Sequence, residues 1–239
     1  MNQGISIFSR RFQLIPIIFV IIGVGILILL GNWQLKRLNE KTNFIQSIEY
    51  NIANDPKSIE ELNLNPPIYS KIAISGTFLS GKNIFLYGKR SASPEKDGYY
   101  LLSAFEATNG KVYLVSRGWI PQSVKNNIRE FASKQIFDKF EAIILPSETR
   151  QFIMPENDKN NKIWFTIDLD MAHEMLGVTE NKYYLMQIQS TTLPEGGKPL
   201  STEHLSKVRN DHFEYAITWY SLAACLLLMF FIYRKTTNN

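Results

Sequence analysis

Two uncharged apolar runs, residues 12–30 (FQLIPIIFVIIGVGILILL) and 216–233 (AITWYSLAACLLLMFFIY), lie near the two ends of this 239-residue chain. They hold 19 and 18 residues. As helices rising about 1.5 Å per residue, each reaches roughly 27–28 Å, close to the hydrocarbon thickness of a bilayer. A cleaved secretory signal is the competing reading of the first run. Its apolar core would be shorter, about 7–15 residues, and a small-residue cleavage site would follow it. The chain instead continues Gly31-Asn32-Trp33, which predicts an uncleaved anchor. Trp219, Tyr220 and Tyr233 stand near the two ends of the second run, as interfacial aromatic belts do.

Charge sets the expected orientation. Arg10 and Arg11 precede the first run, and Arg234 and Lys235 follow the second, with no acidic residue beside either pair. Of 26 Lys and Arg, those four account for the whole net charge of +4, leaving 22 against 22 Asp and Glu. The basic pI is thus a property of two tails, and it supplies no electrostatic footprint for nucleic acid. Basic tails stay cytoplasmic, whereas a long loop translocates largely regardless of its charge. Both termini are therefore expected in the cytoplasm, with residues 31–215 on the far side of the membrane. Only 11 residues precede the first run, which predicts no Arg-rich transit peptide and favours a bacterial inner membrane over the mitochondrial one.

Residues 33–48 continue as an amphipathic helix, and residues 51–67 read as a polar linker with a short helical piece around 58–62. Beyond them the period changes from helical to alternating. Segments 69–78, 84–87, 99–105, 112–117, 140–145, 163–167 and 183–188 are short and rich in β-branched and aromatic residues. Asn109-Gly110 favours a type I′ hairpin joining 99–107 to 111–119. One helix interrupts the strands: Asp168 or Asp170 caps it, 171–176 form its body and Gly177 ends it. The expected architecture is an α+β membrane protein. Two terminal transmembrane helices, 12–30 and 216–233, flank a compact antiparallel β-rich extracytoplasmic domain, a small barrel or sandwich.

The residues offer little catalytic chemistry. The single cysteine, Cys225, lies in the second apolar run, so disulfides within the chain and covalent c-type haem attachment are excluded. H-E-x-x-H, a phosphate-binding Gly-rich loop, G-x-S-x-G and a Rossmann fingerprint are absent from the sequence. The expectation is a protein without enzymatic activity. Among His173, His204 and His212, only His212 occupies a suggestive place, four residues before the apolar run. Tyr215, Ala216 and Trp219 follow it at three, four and seven residues, on or near one helical face. An imidazole at that depth can ligate haem iron, or can simply snorkel toward water; spacing alone leaves both readings open.

Four ordered stretches carry a resemblance. They are Leu30-Gly31-Asn32-Trp33-Gln34-Leu35-Lys36-Arg37, with Lys41 one turn on; Ser116-Arg117-Gly118-Trp119-Ile120-Pro121; Leu193-Pro194-Glu195-Gly196-Gly197-Lys198-Pro199; and the run from Asn210 to Tyr220 around His212. In this order, between two terminal spans, they resemble the surfeit-locus family of cytochrome c oxidase assembly factors over nearly the whole chain. Asp211 departs from a common Asn, and Phe213 and Glu214 from a frequent Leu and Gln. The resemblance implies assistance in inserting haem a into oxidase subunit I, with other assembly factors and membrane lipid as further partners. The alternative is a membrane scaffold that stabilises an assembly intermediate without holding cofactor. It also implies His212 as the haem ligand. Trp219, Tyr215, Arg37 and Trp33 are then the expected surroundings, with Arg37 facing a propionate or a lipid phosphate; an ordinary membrane-interface anchor is an equally open reading of Trp33 and Arg37. Arg117, Gly118 and Trp119 are expected as a structural or partner-docking motif.

Overall fold

A computed structural model describes residues 3–59, 66–89, 95–127, 136–147, 152, 154–179, 182–206 and 209–237. The chain divides into two compact units, Met1–Ser47 with Lys207–Asn239, and Ile48–Ser206.

The first unit is a helix pair. Helix α1, Gln3–Ala53, carries the first apolar run and continues without a break through the amphipathic stretch, its last residues from Ile48 belonging to the second unit. The last helix of the chain, His212–Thr237, carries the second run and places Arg234 and Lys235 in its final turn, where they complement the helix dipole. Ile15–Ala53 and His212–Thr236 are long and apolar enough to cross a membrane, yet only 6% and 11% of their most apolar windows are buried. A core helix of a soluble domain would be covered on its apolar face; here that surface is left uncovered by protein.

The second unit is built on eight strands: β1 Lys57–Ser58, β2 Lys71–Lys89, β3 Asp97–Ala107, β4 Val112–Pro121, β5 Ile136–Pro146, β6 Ile163–Trp164, β7 Tyr183–Gln187 and β8 Lys198–Pro199. Among the described residues it also holds a 3-10 helix, Gln122–Asn127, helix α2, Leu169–Leu176, and the single turn α3, Glu203–Ser206, and the 51-residue α1 and the last helix are joined through it in sequence. The last helix is α4.

Pairing runs β2-β3-β4-β7-β5, and β5 pairs back onto β2, so the five strands close a barrel. β2 makes closure possible. It pairs with β5 over Lys71 to Phe78 and with β3 over Gly76 to Lys89, turning through a bulge between Phe78 and Asn83. Bulges of this kind bend a strand and raise its twist. Alternate residues from all five strands meet in one apolar cluster, including Ile72, Phe105, Val115, Ala142 and Leu185, which fills the interior. The opposite faces of the same strands (Leu102, Leu114, Ile143, Tyr184) are covered by Trp164 and by Ala172 and Leu176 of α2.

The sheet is mixed, which corrects the antiparallel expectation. β1 and β6 run parallel to β2, and β7 runs parallel to β4. Parallel neighbours need long crossovers, and β7 reaches β4 only after β5, β6 and α2 have been laid down. The hairpin of β3 and β4 forms as expected, with a different turn. Gly110 alone of the Asn109-Gly110 pair has positive φ, 77°, whereas type I′ needs both residues there. Gly110 N–H donates to Ala107 O (2.9 Å), Ala107 N–H donates to Lys111 O (2.9 Å), and Asn109 Oδ1 accepts from Lys111 N–H (3.0 Å). The result is a three-residue loop with Gly110 at the left-handed bulge position. α2 is capped as its sequence implies. Asp168, not Asp170, is the N-cap, accepting from Met171 N–H at 2.9 Å, and Gly177 closes the C-terminus on His173 O at 3.0 Å. The helical piece expected around 58–62 lies mostly outside the described residues, although Lys57–Ser58 form β1.

Candidate functional site

Small residues let α1 and α4 approach closely. Ala216 and Ala223, one heptad apart, are buried, and a Cβ added at Gly31 would meet the Tyr220 ring at 2.6 Å. Tyr220 O–H donates to Asn32 Oδ1 at 2.6 Å. Such close contacts between small residues, reinforced by interhelical hydrogen bonds, are the usual means of joining helices in lipid. At the start of α4 lies the pair that bears most directly on chemistry: His212 Nδ1 stands 2.7 Å from Gln34 Oε1. Two residues earlier, Asn210 Nδ2 donates to Thr42 Oγ1 at 3.3 Å.

Gln34 is only 8% exposed. Its carbonyl oxygen can only accept, so in this contact Nδ1 carries a proton, and in the tautomer with a single ring proton the lone pair lies on Nε2. A histidine with one nitrogen donating to an oxygen and the other left basic is the usual arrangement of a metal-ligating imidazole. Such an imidazole could hold a metal such as a haem iron through Nε2; Ala216, one turn along the same helix, is buried.

The other residues expected around His212 are distributed differently. Trp33 is half exposed, and the Arg37 guanidinium lies 5.9 Å from its ring centroid. Arg37 also donates to Glu40 Oε2 at 3.0 Å, so this cation is satisfied on its own helix. Gln34, one step on, points roughly 100° away from Trp33 around the helix. On α4, Tyr215 is exposed and Trp219 half buried. The structure thus joins the first and fourth sequence motifs through Gln34 and Asn32, two residues that the sequence reading did not single out. The available signal was an amide on the less exposed stripe of α1 with Gly31, Leu38, Thr42 and Ile45, at spacings of three and four.

The second and third motifs also come together, within the barrel unit. β8 pairs with β4, setting Gly118 against Pro199 and Trp119 against Lys198. A Cβ at Gly118 would lie 2.6 Å from Leu193 Cδ1 and 2.8 Å from Lys198 O. Pro194 to Gly197 form a turn, with Gly196 at φ 83° and Gly197 N–H donating to Pro194 O at 2.9 Å. Trp119 is fully buried and donates Nε1–H to Gly88 O at 2.9 Å. Arg117 occupies the bulged position where β3 and β4 change register between Leu101 and Leu102. It is buried, stacks 4.0 Å from the Phe78 centroid and donates to Thr192 O. Burial pulls its guanidinium down to about 10, and the Asp138 carboxylate opposes that shift. It stays a cation at neutral pH. Asp138 Oδ2 in turn accepts from Gln187 Nε2 (3.0 Å) and Thr192 Oγ1 (3.3 Å). These residues are a structural clamp on the segment after β7.

The remaining features are quieter. His173 is exposed on α2, with Nδ1 2.6 Å from Val178 O. Cys225 is exposed on α4. An open polar cleft of about 840 Å³ lies beside α2, lined by Asp158, Asp168 and Lys182 among others. Asp158 is bonded to Asn161 and Asp168 is the helix cap, so these two of its carboxylates are already committed. Among the described residues, no group of three or more His, Cys, Asp or Glu is placed to hold a metal ion.

Comparison with known proteins bears on the chain as a whole. The profile of the SURF1 family matches residues 21–224. A SURF1-like protein of Rickettsia bellii is 40% identical over 221 residues, covering 92% of this chain and 91% of that protein. A SURF1-like protein of Rickettsia conorii is 40% identical over 217 residues, 90% of each. Surfeit locus protein 1 of Homo sapiens is 26% identical over 220 residues, 84% of this chain and 72% of its own length.

Proposed function

This chain belongs to the SURF1 family, a family of cytochrome oxidase assembly factors, and we propose that it assists the insertion of haem a into subunit I of a haem–copper oxidase. The observation that carries the reading is the His212–Gln34 contact, which engages Nδ1 and would leave Nε2 as a base for haem iron. The uncovered apolar surfaces of α1 and α4 support a membrane location for that pair. The basic tails at Arg10-Arg11 and Arg234-Lys235 support an inner-membrane orientation with both termini cytoplasmic and the barrel periplasmic. In this reading the chain holds haem a transiently, beside subunit I and other assembly factors, and performs no turnover of its own.

The test is spectroscopic. The full-length chain is produced in cells that make haem a and purified in detergent. Haem a absorbance should accompany it, and His212→Ala should weaken that absorbance. An unchanged spectrum in the variant removes His212 as ligand. Co-purification with oxidase subunits but no haem would support the cofactor-free scaffold instead.

A further inference from the structure

We propose that Gln34 is a positioning residue for His212, setting its tautomer and the direction of its Nε2 lone pair; this rests on the haem-binding reading above. The 2.7 Å contact joins two helices across 178 residues of sequence, and Gln34 is nearly buried. A buried amide aimed at a ring nitrogen is a directional restraint, because an unpaired Oε1 would lose its hydrogen bond in a place water does not reach. It selects Nδ1–H, holds the ring against rotation about χ2, and raises the basicity of Nε2 by polarising the N–H bond. An unrestrained interfacial histidine would sample both tautomers and several ring orientations.

The arrangement also predicts how the site is tuned. A carboxylate at residue 34 would draw the Nδ1 proton more strongly, make Nε2 a stronger donor and favour the ferric state. An apolar residue there would release the ring and weaken ligation. Because the restraint acts on the ligand and leaves the macrocycle untouched, its effect should vanish when the ligand is gone.

The experiment uses the full chain in detergent and ferric haem b as the added probe, with optical titration, electron paramagnetic resonance and redox titration as readouts. Gln34→Leu should weaken binding about 10–100-fold, in line with other outer-shell partners of metal-bound histidine. Gln34→Glu should keep binding within a few-fold and move the reduction potential to a lower value. His212→Ala should remove the nitrogen-ligated signal, and in that background Gln34→Leu should change nothing further. Asn32→Ala removes a second interhelical bond, from Tyr220, and controls for loosening of the helix pair; it should leave affinity and potential unchanged. The proposal is overturned if both Gln34 variants match the parent while His212→Ala loses the signal, an outcome that spares His212 as ligand. It is also overturned if Asn32→Ala reproduces the loss seen with Gln34→Leu. If His212→Ala binds like the parent, the haem-ligand reading itself falls.

Discussion

Replacing the buried Arg117 by methionine should cost the barrel little, no more than about 2 kcal/mol, although it deletes a cation that touches Phe78 and Thr192 O. The favourable terms are the stack on Phe78 at 4.0 Å and the hydrogen bond to Thr192 O. A desolvated cation–π contact contributes about 2 kcal/mol and a charged hydrogen bond about 1.5–3 kcal/mol. Against them stands burial, which pulls the guanidinium to about 10 even with Asp138 opposing; that displacement corresponds to roughly 3 kcal/mol against the charged form. The terms nearly cancel, and Asp138 is not stranded by the loss of Arg117, because it is partly exposed and still accepts from Gln187 Nε2 and Thr192 Oγ1. Methionine keeps an unbranched stem over the Phe78 ring and recovers part of the aromatic contact, about 0.3–1.5 kcal/mol.

Removing the partner is a different matter. Asp138→Ala leaves the buried guanidinium without its acid and takes the acceptor from Gln187 and Thr192. Removing the charge that opposes a buried cation costs at most about 3–5 kcal/mol, and because Asp138 acts through space and is itself only half-buried, this variant should fall at or below the low end. The double variant should lose less than the two singles combined. Urea unfolding of the full chain in non-ionic micelles, followed by near-ultraviolet circular dichroism and tryptophan fluorescence, measures all three, since Trp119 and Trp164 are fully buried in this unit. If Arg117→Met loses more than about 4 kcal/mol while Asp138→Ala is neutral, then the near-cancellation of burial against pairing argued here is wrong.

Two further outcomes are expected. Burial, with a smaller contribution from Tyr113, raises the Tyr183 hydroxyl from 10.0 to about 12. The folded state therefore holds this proton where the unfolded chain has released it, so stability is whole below pH 10 and declines as pH rises toward 12. Tyr183→Phe should flatten that decline in the urea midpoint between those limits, and parallel declines in parent and variant would refute the assignment. Gly118→Ala sets a Cβ 2.8 Å from the backbone oxygen of Lys198, which no rotamer change can relieve. It should cost about 1–3 kcal/mol and speed amide exchange in the β8 segment, and unchanged protection at Leu200 and its neighbours would show that β8 does not dock as described.

What could be read in the sequence was what is encoded locally. The β3–β4 hairpin follows from turn residues at 107–111, and α2 from a cap at Asp168 and a stop at Gly177. Even there the turn type escaped, because Asn109 uses its side chain on Lys111 N–H and keeps its own φ negative. Barrel closure was out of reach, since β7 lies beside β4 only through pairings such as Val115 with Leu185, 70 residues apart. The two segments at 69–78 and 84–87 read as separate strands because the polar bulge between them, with Gly81 at φ 71°, looks like a loop when its two pairing partners are unknown. At the site, His212 stood out by its depth. Gln34 did not, because its role appears only once α4 supplies the partner.

The pairing of the four motifs divides their work. In the second and third, Arg117 is answered by Phe78, Thr192 O and Asp138, Trp119 Nε1–H by Gly88 O, and Gly118 by the close approach of Lys198. Arg117, Gly118 and Trp119 are engaged within the fold, so lesions at these three positions should act through the amount of folded protein. In the first and fourth, the hydrogen bond to Gln34 consumes one nitrogen of His212 and, by doing so, leaves the other chemically competent. A polar group buried between helices at the cost of desolvation, whose satisfaction prepares a neighbour's lone pair, is poorly explained by stability alone. Lesions at Gln34 and His212 should therefore spare the fold and strike the function.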